Sequence, residues 1–141
     1  MCDANVKRKK EIAELQAMNV LMATLTTKKE EHELYQFWLE YERQITPESK
    51  FIKAIDKLES FLKHNQDPIE TWEPHEMRML YQNKWLRSYC HYDSFLSKIC
   101  EQIITDGIEK LKVAGINIEE IKKNAQEEEE KWRLETISLK C

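Results

Sequence analysis

The chain is poor in the residues that interrupt helices. Its 141 residues include only two glycines and three prolines, while 34% are charged and 41% are hydrophobic. A sheet with many turns needs more glycine and proline than this, and so does a glycine-rich phosphate-binding loop. The length suits a single domain with one core. We therefore predict an all-α fold, a helical bundle of about five to six helices.

Several catalytic motifs are also missing from the sequence. It contains no P-loop, no GxSxG and no HExxH, because the pair His75-Glu76 lacks the second histidine. The four histidines are scattered, and we expect each to be a surface or capping residue: His32, His64, His75 and His91. We assign no catalytic residue and no cofactor-binding residue from these patterns.

The four cysteines show no CxxC pairing and are spread along the chain: Cys2, Cys90, Cys100 and Cys141. We expect Cys90 and Cys100 to be small buried hydrophobic residues rather than redox-active or zinc-binding ones. The sequence shows no signal-peptide pattern and no apolar run long enough to span a bilayer. We therefore expect a cytoplasmic protein without a leader or a membrane partner.

The charge balance bears on the partners. A net charge of −4 and a pI near 5.7 give no general attraction to a phosphate backbone, so nucleic acid is not an expected partner. The basic run Lys7 to Lys10 is typical of the solvated first turns of a helix.

Apolar spacing and capping signals predict six helices. The first runs over 6–25 with an apolar face of Ile12, Leu15, Met18, Leu21 or Met22, and Leu25. The second begins after Thr27, which has capping-box spacing to Glu30, and its stripe is Leu34, Phe37, Trp38 and Tyr41. The third begins at Thr46-Pro47-Glu48 and ends near His64, with a core stripe of Phe51, Ile55, Leu58 and Leu62.

The second half of the chain continues this pattern. A loop that packs Trp72 precedes a fourth helix over 75–89, whose aromatic residues are expected in the core: Tyr81, Trp85 and Tyr89. Asp93 or Ser94 caps a fifth helix that Gly115 ends, and a sixth begins near Asn117. We predict one helical domain over 1–125 and a charged helical tail over 126–141, with a structural role for the tail.

Three acids border the apolar stripe of the third predicted helix. On a helical wheel, Glu48 and Glu59 lie at the edge of the stripe and Asp56 flanks it. The first interpretation, which composition alone favours, is that they form ion pairs at the rim of the core with Lys53, Lys57 or Arg43. The second is that Asp56 points into a cleft and coordinates a cation.

The segment from Trp38 to Glu59 resembles the HD-domain metal-dependent phosphohydrolases, in particular the small 5′-nucleotidase-like HD proteins. Three groups of residues carry the resemblance: WLEYE with Trp38, Glu40, Tyr41 and Glu42; Thr46, Glu48, Lys50 and Lys53; and DKLE at Asp56 to Glu59. A weaker continuation runs back through KRKKEIAELQAM. The resemblance implies a divalent metal ion as cofactor and a nucleoside monophosphate as substrate, and it assigns Asp56 as the last metal ligand.

The sequence departs from that family in the other ligands. The family also uses a histidine and a His-Asp doublet, and no such doublet occurs in these 141 residues, His91-Tyr92-Asp93 being a near miss. Either the chain is the C-terminal part of a longer protein or it is a natural remnant without metal chemistry. Since one aspartate cannot hold a metal with useful affinity, we expect the isolated chain to bind none and to be inactive.

Three functional hypotheses remain. The first is the C-terminal part of an HD-type phosphohydrolase, with residues 6–64 HD-like and 75–125 as additional helices. The second is a non-catalytic helical interaction or oligomerisation protein derived from an HD domain, and under both readings we expect a homo-oligomer, because exposed aromatic and apolar stripes would be covered by a copy. The third is a self-sufficient bundle unrelated to HD proteins.

Overall fold

The computed structural model describes residues 4–25 and 27–138. These ranges contain seven α-helices and no strand, so the predicted all-α class is confirmed. In chain order the helices are α1 Ala4–Met22, α2 Lys28–Arg43, α3 Pro47–Gln66, α4 Pro74–Met79, α5 Leu86–Cys90, α6 Ser94–Val113 and α7 Ile118–Ser138, with a 3₁₀ turn at Ile69–Thr71. None of the described helices combines the length and the apolar character that crossing a membrane requires. Cys2 and Cys141 lie outside the described residues.

The chain divides into two compact units, Met1–Ser49 and Lys50–Cys141. The first unit contains α1 and α2, which pack on each other, and Met22 is buried there. The predicted capping box is confirmed, because Thr27 Oγ1 accepts from the Glu30 amide while the Glu30 carboxylate accepts from the Thr27 amide. Arg8, Lys9 and Lys10 are exposed on α1, as expected for solvated helical turns.

The core of the second unit is organised around α6. Six positions of this helix are buried: Leu96, Cys100, Ile103, Ile104, Gly107 and Leu111. Their spacing of three and four residues places them on one helical face. Ala54 and Leu58 from α3, Leu80 and Leu86 from the α4–α5 region, and Trp72 from the connecting loop belong to the same cluster. The predicted burial of Trp72, Cys90 and Cys100 is confirmed.

A glycine allows α3 and the segment after α4 to approach α6 closely. A Cβ atom on Gly107 would lie 2.8 Å from Asn65 Oδ1 and 3.1 Å from both methyl carbons of Leu80. Asn65 is held in place because its Nδ2 donates to the Ile103 carbonyl at 2.7 Å. Lys110 lies one turn after Gly107 on α6, and its Nζ donates to the Asn65 carbonyl at 2.8 Å and to the Asp67 carbonyl. These bonds satisfy carbonyl groups at the end of α3.

The single helix predicted over 75–89 is wrong, because residues 80–85 interrupt it between α4 and α5. The interruption is stabilised by α7: Glu129 Oε1 accepts from the amides of Asn83 and Lys84 at 2.6 and 3.0 Å. The buried Gln82 side chain donates to the Ala125 carbonyl at 3.1 Å. Apolar periodicity could not show this, since the acceptors lie more than forty residues away. The break also leaves Trp85 39% exposed, where a core position was expected.

Residues 126–138 of the predicted charged tail continue α7, and 139–141 lie outside the described residues. Two glutamates of the run, Glu128 and Glu129, contact the rest of the second unit. Ala125 is buried, Glu128 pairs with Arg78 at 2.8 Å, and Glu129 caps the interruption as described. The segment is therefore an integral part of the second unit.

The apolar stripes predicted for the first three helices are only partly buried. On α3 the core side consists of Ala54, Leu58 and Phe61, so the buried face is rotated away from the predicted stripe, of which only Leu58 is buried. Among the other predicted positions, these are exposed: Ile12, Leu15, Leu21, Phe37, Phe51, Ile55 and Leu62. Periodicity locates an apolar face, but a small residue such as the fully buried Ala54 carries little weight in such a pattern.

We expect Gly107→Ala to destabilise the second unit. The new methyl group would collide with Asn65 and Leu80, at a cost of roughly 1–3 kcal/mol for overpacking, against a gain of about 1 kcal/mol in helix propensity. Denaturant unfolding should show a lower midpoint with an unchanged slope. Thr105→Ala, on the exposed side of the same helix, is the matched control; equal midpoints for the two variants would contradict the close approach.

Acid should weaken the second unit through three carboxylates. The Arg87 guanidinium holds the pKa of Glu101 below its usual value. For Glu76 and Glu128 burial raises the pKa, but hydrogen bonds and neighbouring basic side chains outweigh it and leave the pKa lowered. A lowered folded-state pKa stabilises the protein above the unfolded pKa, and this contribution is lost as pH falls below about 4.5. Equilibrium unfolding at pH 7 to 3 should therefore show a smaller acid-dependent loss for Glu101→Gln than for the wild type, whereas Glu109→Gln on the exposed surface should follow the wild type.

Candidate functional site

The WLEYE segment lies in the C-terminal half of α2. Trp38, Glu40 and Tyr41 are half-buried and Glu42 is exposed. The Trp38 ring lies 5.9 Å from that of Tyr35, one turn earlier on the same helix. These side chains belong to the packing of the first unit.

The connection between α2 and α3 accounts for several of the motif residues. Gln44 ends α2 with a left-handed backbone (φ 54°), and its side-chain amide donates to the carbonyls of Tyr41 at 2.6 Å and Ser49 at 3.2 Å. Thr46 donates its hydroxyl hydrogen to Glu40 and accepts from the Ser49 amide at the start of α3. Glu40 and Thr46, six residues apart in sequence, thus link the end of α2 to the N-cap of α3.

Asp56 lies near the middle of α3 with its side chain 48% exposed. Its Oδ2 is 3.3 Å from Nζ of the adjacent Lys57. The neighbouring acid Glu59 pairs with Lys63 one turn later, and Glu48 is exposed in the first turn of α3. The geometry of Asp56 therefore matches the ion-pair interpretation, with Lys57 as the partner.

An exposed apolar surface lies beside these acids. It consists of four α3 side chains that are between 42% and 55% exposed, and we call it the α3 strip: Phe51, Ile52, Ile55 and Leu62. On a helical wheel it lies beside the buried positions, with its centre roughly 100° around the helix from Ala54 and Phe61. The acids that were expected at the rim of a core thus border an exposed apolar surface instead.

The donor set available around Asp56 does not fit a resident divalent metal. Such ions need several oxygen or nitrogen ligands in a defined geometry. Within residues 4–25 and 27–138, no group of three or more histidine, cysteine, aspartate or glutamate side chains is placed to hold an ion. A single carboxylate already paired with a lysine is too small a set, so the assignment of Asp56 as a ligand stays a prediction.

Among the histidines, His64 makes the most contacts. Its ring centroid lies 4.0 Å from that of Trp72 with the two rings tilted by 40°, and its Nε2 lies 3.2 Å from Glu76 Oε2. Lys110 Nζ lies over the same indole at 5.4 Å. His64 is therefore packed against Trp72 and Glu76 within the second unit. His32, His75 and His91 are exposed.

A cavity of about 340 Å³ lies between α5 and α6, and none of the predicted site residues lines it. Its lining includes both buried cysteines and the ion pair of Arg87 with Glu101: Asn83, Arg87, Ser88, Cys90, His91, Ser97, Cys100 and Glu101. The guanidinium bonds both Glu101 oxygens, at 2.7 and 3.0 Å, and the Leu80 carbonyl at 3.0 Å. The hydrogen bonds to Glu101 raise the pKa of Arg87.

Sequence reasoning missed this cavity because no motif spans it. The one available signal was that Cys90 and Cys100 stand on either side of the Asp93 helix cap, ten residues apart. A second cavity, of about 380 Å³, lies in the first unit and contains His32 and Tyr35 in its lining.

Comparison with known proteins identifies the family. A family model described as HD domain matches residues 1–91, which span α1 to α5 and include Asp56 and the WLEYE segment. No curated protein and no solved structure matches the chain. The matched segment covers more than half of the sequence and contains every residue on which the resemblance was based. This chain therefore belongs to the HD-domain family.

Proposed function

We propose that this chain is part of an HD-type divalent-metal phosphohydrolase acting on nucleoside 5′-monophosphates, and that it supplies Asp56 as one metal ligand. HD domains generally bind divalent metal ions, and the family suggests metal-dependent phosphohydrolase chemistry. The observation that carries the proposal is the exposed carboxylate of Asp56 within the matched HD segment. The nucleoside 5′-monophosphate substrate rests on the resemblance of the WLEYE and DKLE segments to the small nucleotidase-like HD proteins.

The position of Asp56 supports this role because its carboxylate is accessible. Both side chains of its ion pair with Lys57 are partly exposed. Such surface pairs contribute only about 0–1 kcal/mol to the free energy of unfolding. A multiply charged cation with further ligands would displace the ammonium group at little cost. A carboxylate buried in a strong ion pair would offer no such opportunity.

The rest of α3 acts as a rigid support for Asp56. Ala54 and Leu58, on either side of it in sequence, are buried in the core of the second unit. Farther along, Asn65 bonds α6 and Lys110 caps the helix end. This packing fixes the helix that carries the carboxylate, while the histidine and His-Asp ligands must come from a polypeptide segment other than the residues described.

The assay that tests this role combines the chain with a separately expressed HD-domain segment carrying a histidine and a His-Asp doublet. We expect the chain alone to show no saturable binding of Mn²⁺ or Co²⁺ by calorimetry and no release of phosphate from nucleoside 5′-monophosphates. The mixture should hydrolyse nucleoside 5′-monophosphates in a metal-dependent manner. Asp56→Asn should reduce this rate by a factor of roughly 100, because a weakened metal site loses activity to about this extent.

Glu59→Gln, one turn along the same helix, is the matched control and should keep the activity of the mixture. Inactivity of every mixture, or equal rates for Asp56→Asn and wild type, would count against the proposed role. Activity of the chain alone would contradict the assignment of the missing ligands to another segment.

The α3 strip favours a second candidate function, a non-catalytic helical protein that associates with a second copy of itself. Antiparallel pairing of two α3 helices about a twofold axis near residue 56 would place Phe51 of one copy opposite Leu62 of the other, with Ile55 near the centre. In the same register Glu48 would lie opposite Asn65, two residues from Lys63. The pattern is self-complementary in its apolar positions, as a symmetric dimer requires.

Light scattering coupled to size exclusion distinguishes this candidate. We expect the wild-type chain to be a dimer and the double variant Phe51→Ser, Ile55→Ser to be a monomer with unchanged helical content, because the strip loses its largest apolar groups. Val113→Ser, which removes an isolated apolar side chain that is 82% exposed on α6, should stay dimeric. A monomeric wild type at high micromolar concentration would refute self-association through α3.

A further inference from the structure

Two buried thiols lie together beside the cavity between α5 and α6. Cys90 ends α5 and Cys100 lies in the first half of α6, and each is 1% exposed. Both line the cavity, and both belong to the same buried core cluster. The reduced thiols pack as small hydrophobic groups, but their proximity gives them a chemical possibility that an isolated buried cysteine lacks.

The turn between the two cysteines is held by hydrogen bonds, so their relative position is fixed. Ser97 donates its hydroxyl hydrogen to the Cys90 carbonyl at 3.0 Å, and the Asp93 amide donates to the same carbonyl at 3.3 Å. Asp93 Oδ1 in turn caps α6 by accepting from the Phe95 and Leu96 amides, each at 2.9 Å. This closed segment has already lost the entropy that forming a ring of this size would cost.

We propose that Cys90 and Cys100 are an intramolecular disulfide site that exchanges reversibly with a low-molecular-weight disulfide. The bond would link α5, the last helix of the matched HD segment, to α6, which lies beyond it. The cavity supplies the route for the reagent, because its lining includes the exposed residues Asn83, Ser88 and His91.

The reaction begins at Cys90. Burial raises the pKa of both thiols, that of Cys100 to about 12, while the neighbouring Cys100 thiol acts in the opposite direction on the pKa of Cys90. Cys100 therefore holds its proton more firmly, and Cys90 is the better thiolate of the two.

In the first step, deprotonated Cys90 attacks one sulfur of glutathione disulfide, forms a mixed disulfide and releases one glutathione thiolate. In the second, Cys100 loses its proton to solvent and its sulfur attacks Cys90 Sγ, which displaces the second glutathione thiolate. Two protein thiols are oxidised and one glutathione disulfide is reduced to two thiols, so atoms and electrons balance. Excess reduced glutathione drives both steps backwards.

The test is a redox titration of the full chain carrying Cys2→Ser and Cys141→Ser, in buffers of reduced and oxidised glutathione. Samples quenched with acid and analysed by mass spectrometry should show the loss of two hydrogen atoms, located by peptide mapping to the Cys90 and Cys100 peptides, with circular dichroism unchanged. The equilibrium constant for the disulfide should be at least about tenfold larger in the native chain than in the same chain in denaturant, since the native structure holds the sulfurs together.

Two single variants in the same background test the order of the steps. Cys100→Ser should accumulate a mixed disulfide with glutathione at Cys90, whereas Cys90→Ser should react far more slowly at Cys100. Equal reaction of the two variants would overturn the order. Failure of the native two-cysteine chain to form the bond, or formation only under unfolding conditions, would overturn the site itself.

Discussion

The close approach of α3 to α6 at Gly107 is the constraint on which the second unit depends. Only a residue without a Cβ atom lets Asn65 and Leu80 reach the α6 backbone at this distance. The amide of Asn65 then bonds the Ile103 carbonyl, and Lys110 closes the end of α3, so one contact is reinforced by polar groups on both sides. Because α6 is buried along one whole face, fixing α3 against it also fixes the side of α3 that remains exposed.

The two faces of α3 have different roles. Its inner face contributes Ala54 and Leu58 to the core, and its outer face presents Asp56 next to the α3 strip. A solvent-exposed surface without a binding partner does not normally combine a carboxylate with several exposed apolar side chains. Both functional candidates place another polypeptide against this face, and they differ in whether that polypeptide brings the remaining metal ligands or is a second copy.

Long-range contacts from α7 decide the local structure of α4 and α5. Glu129 and Gln82 satisfy polar groups at the break between them, and Glu128 pairs with Arg78. The acidic run thus acts through two individual carboxylates rather than as a solvated tail. The same break leaves α5 short and brings Cys90 beside Cys100 across a closed turn.

The sequence by itself determined the helical class, the caps at Thr27 and Asp93, the start of α3 at Thr46-Pro47, and the HD-like segment with Asp56, because these depend on local composition and short-range spacing. Tertiary structure alone decided which face of α3 is buried, where the helix after Pro74 breaks, and which side chains surround Asp56 and the two thiols. Those outcomes depend on contacts between residues 38 to 46 positions apart, such as Asn65 with Ile103 and Asn83 with Glu129. A periodic pattern records the apolar character of a face but not the partner that covers it, and for that physical reason the packing and the chemistry of the site could not be read from the sequence.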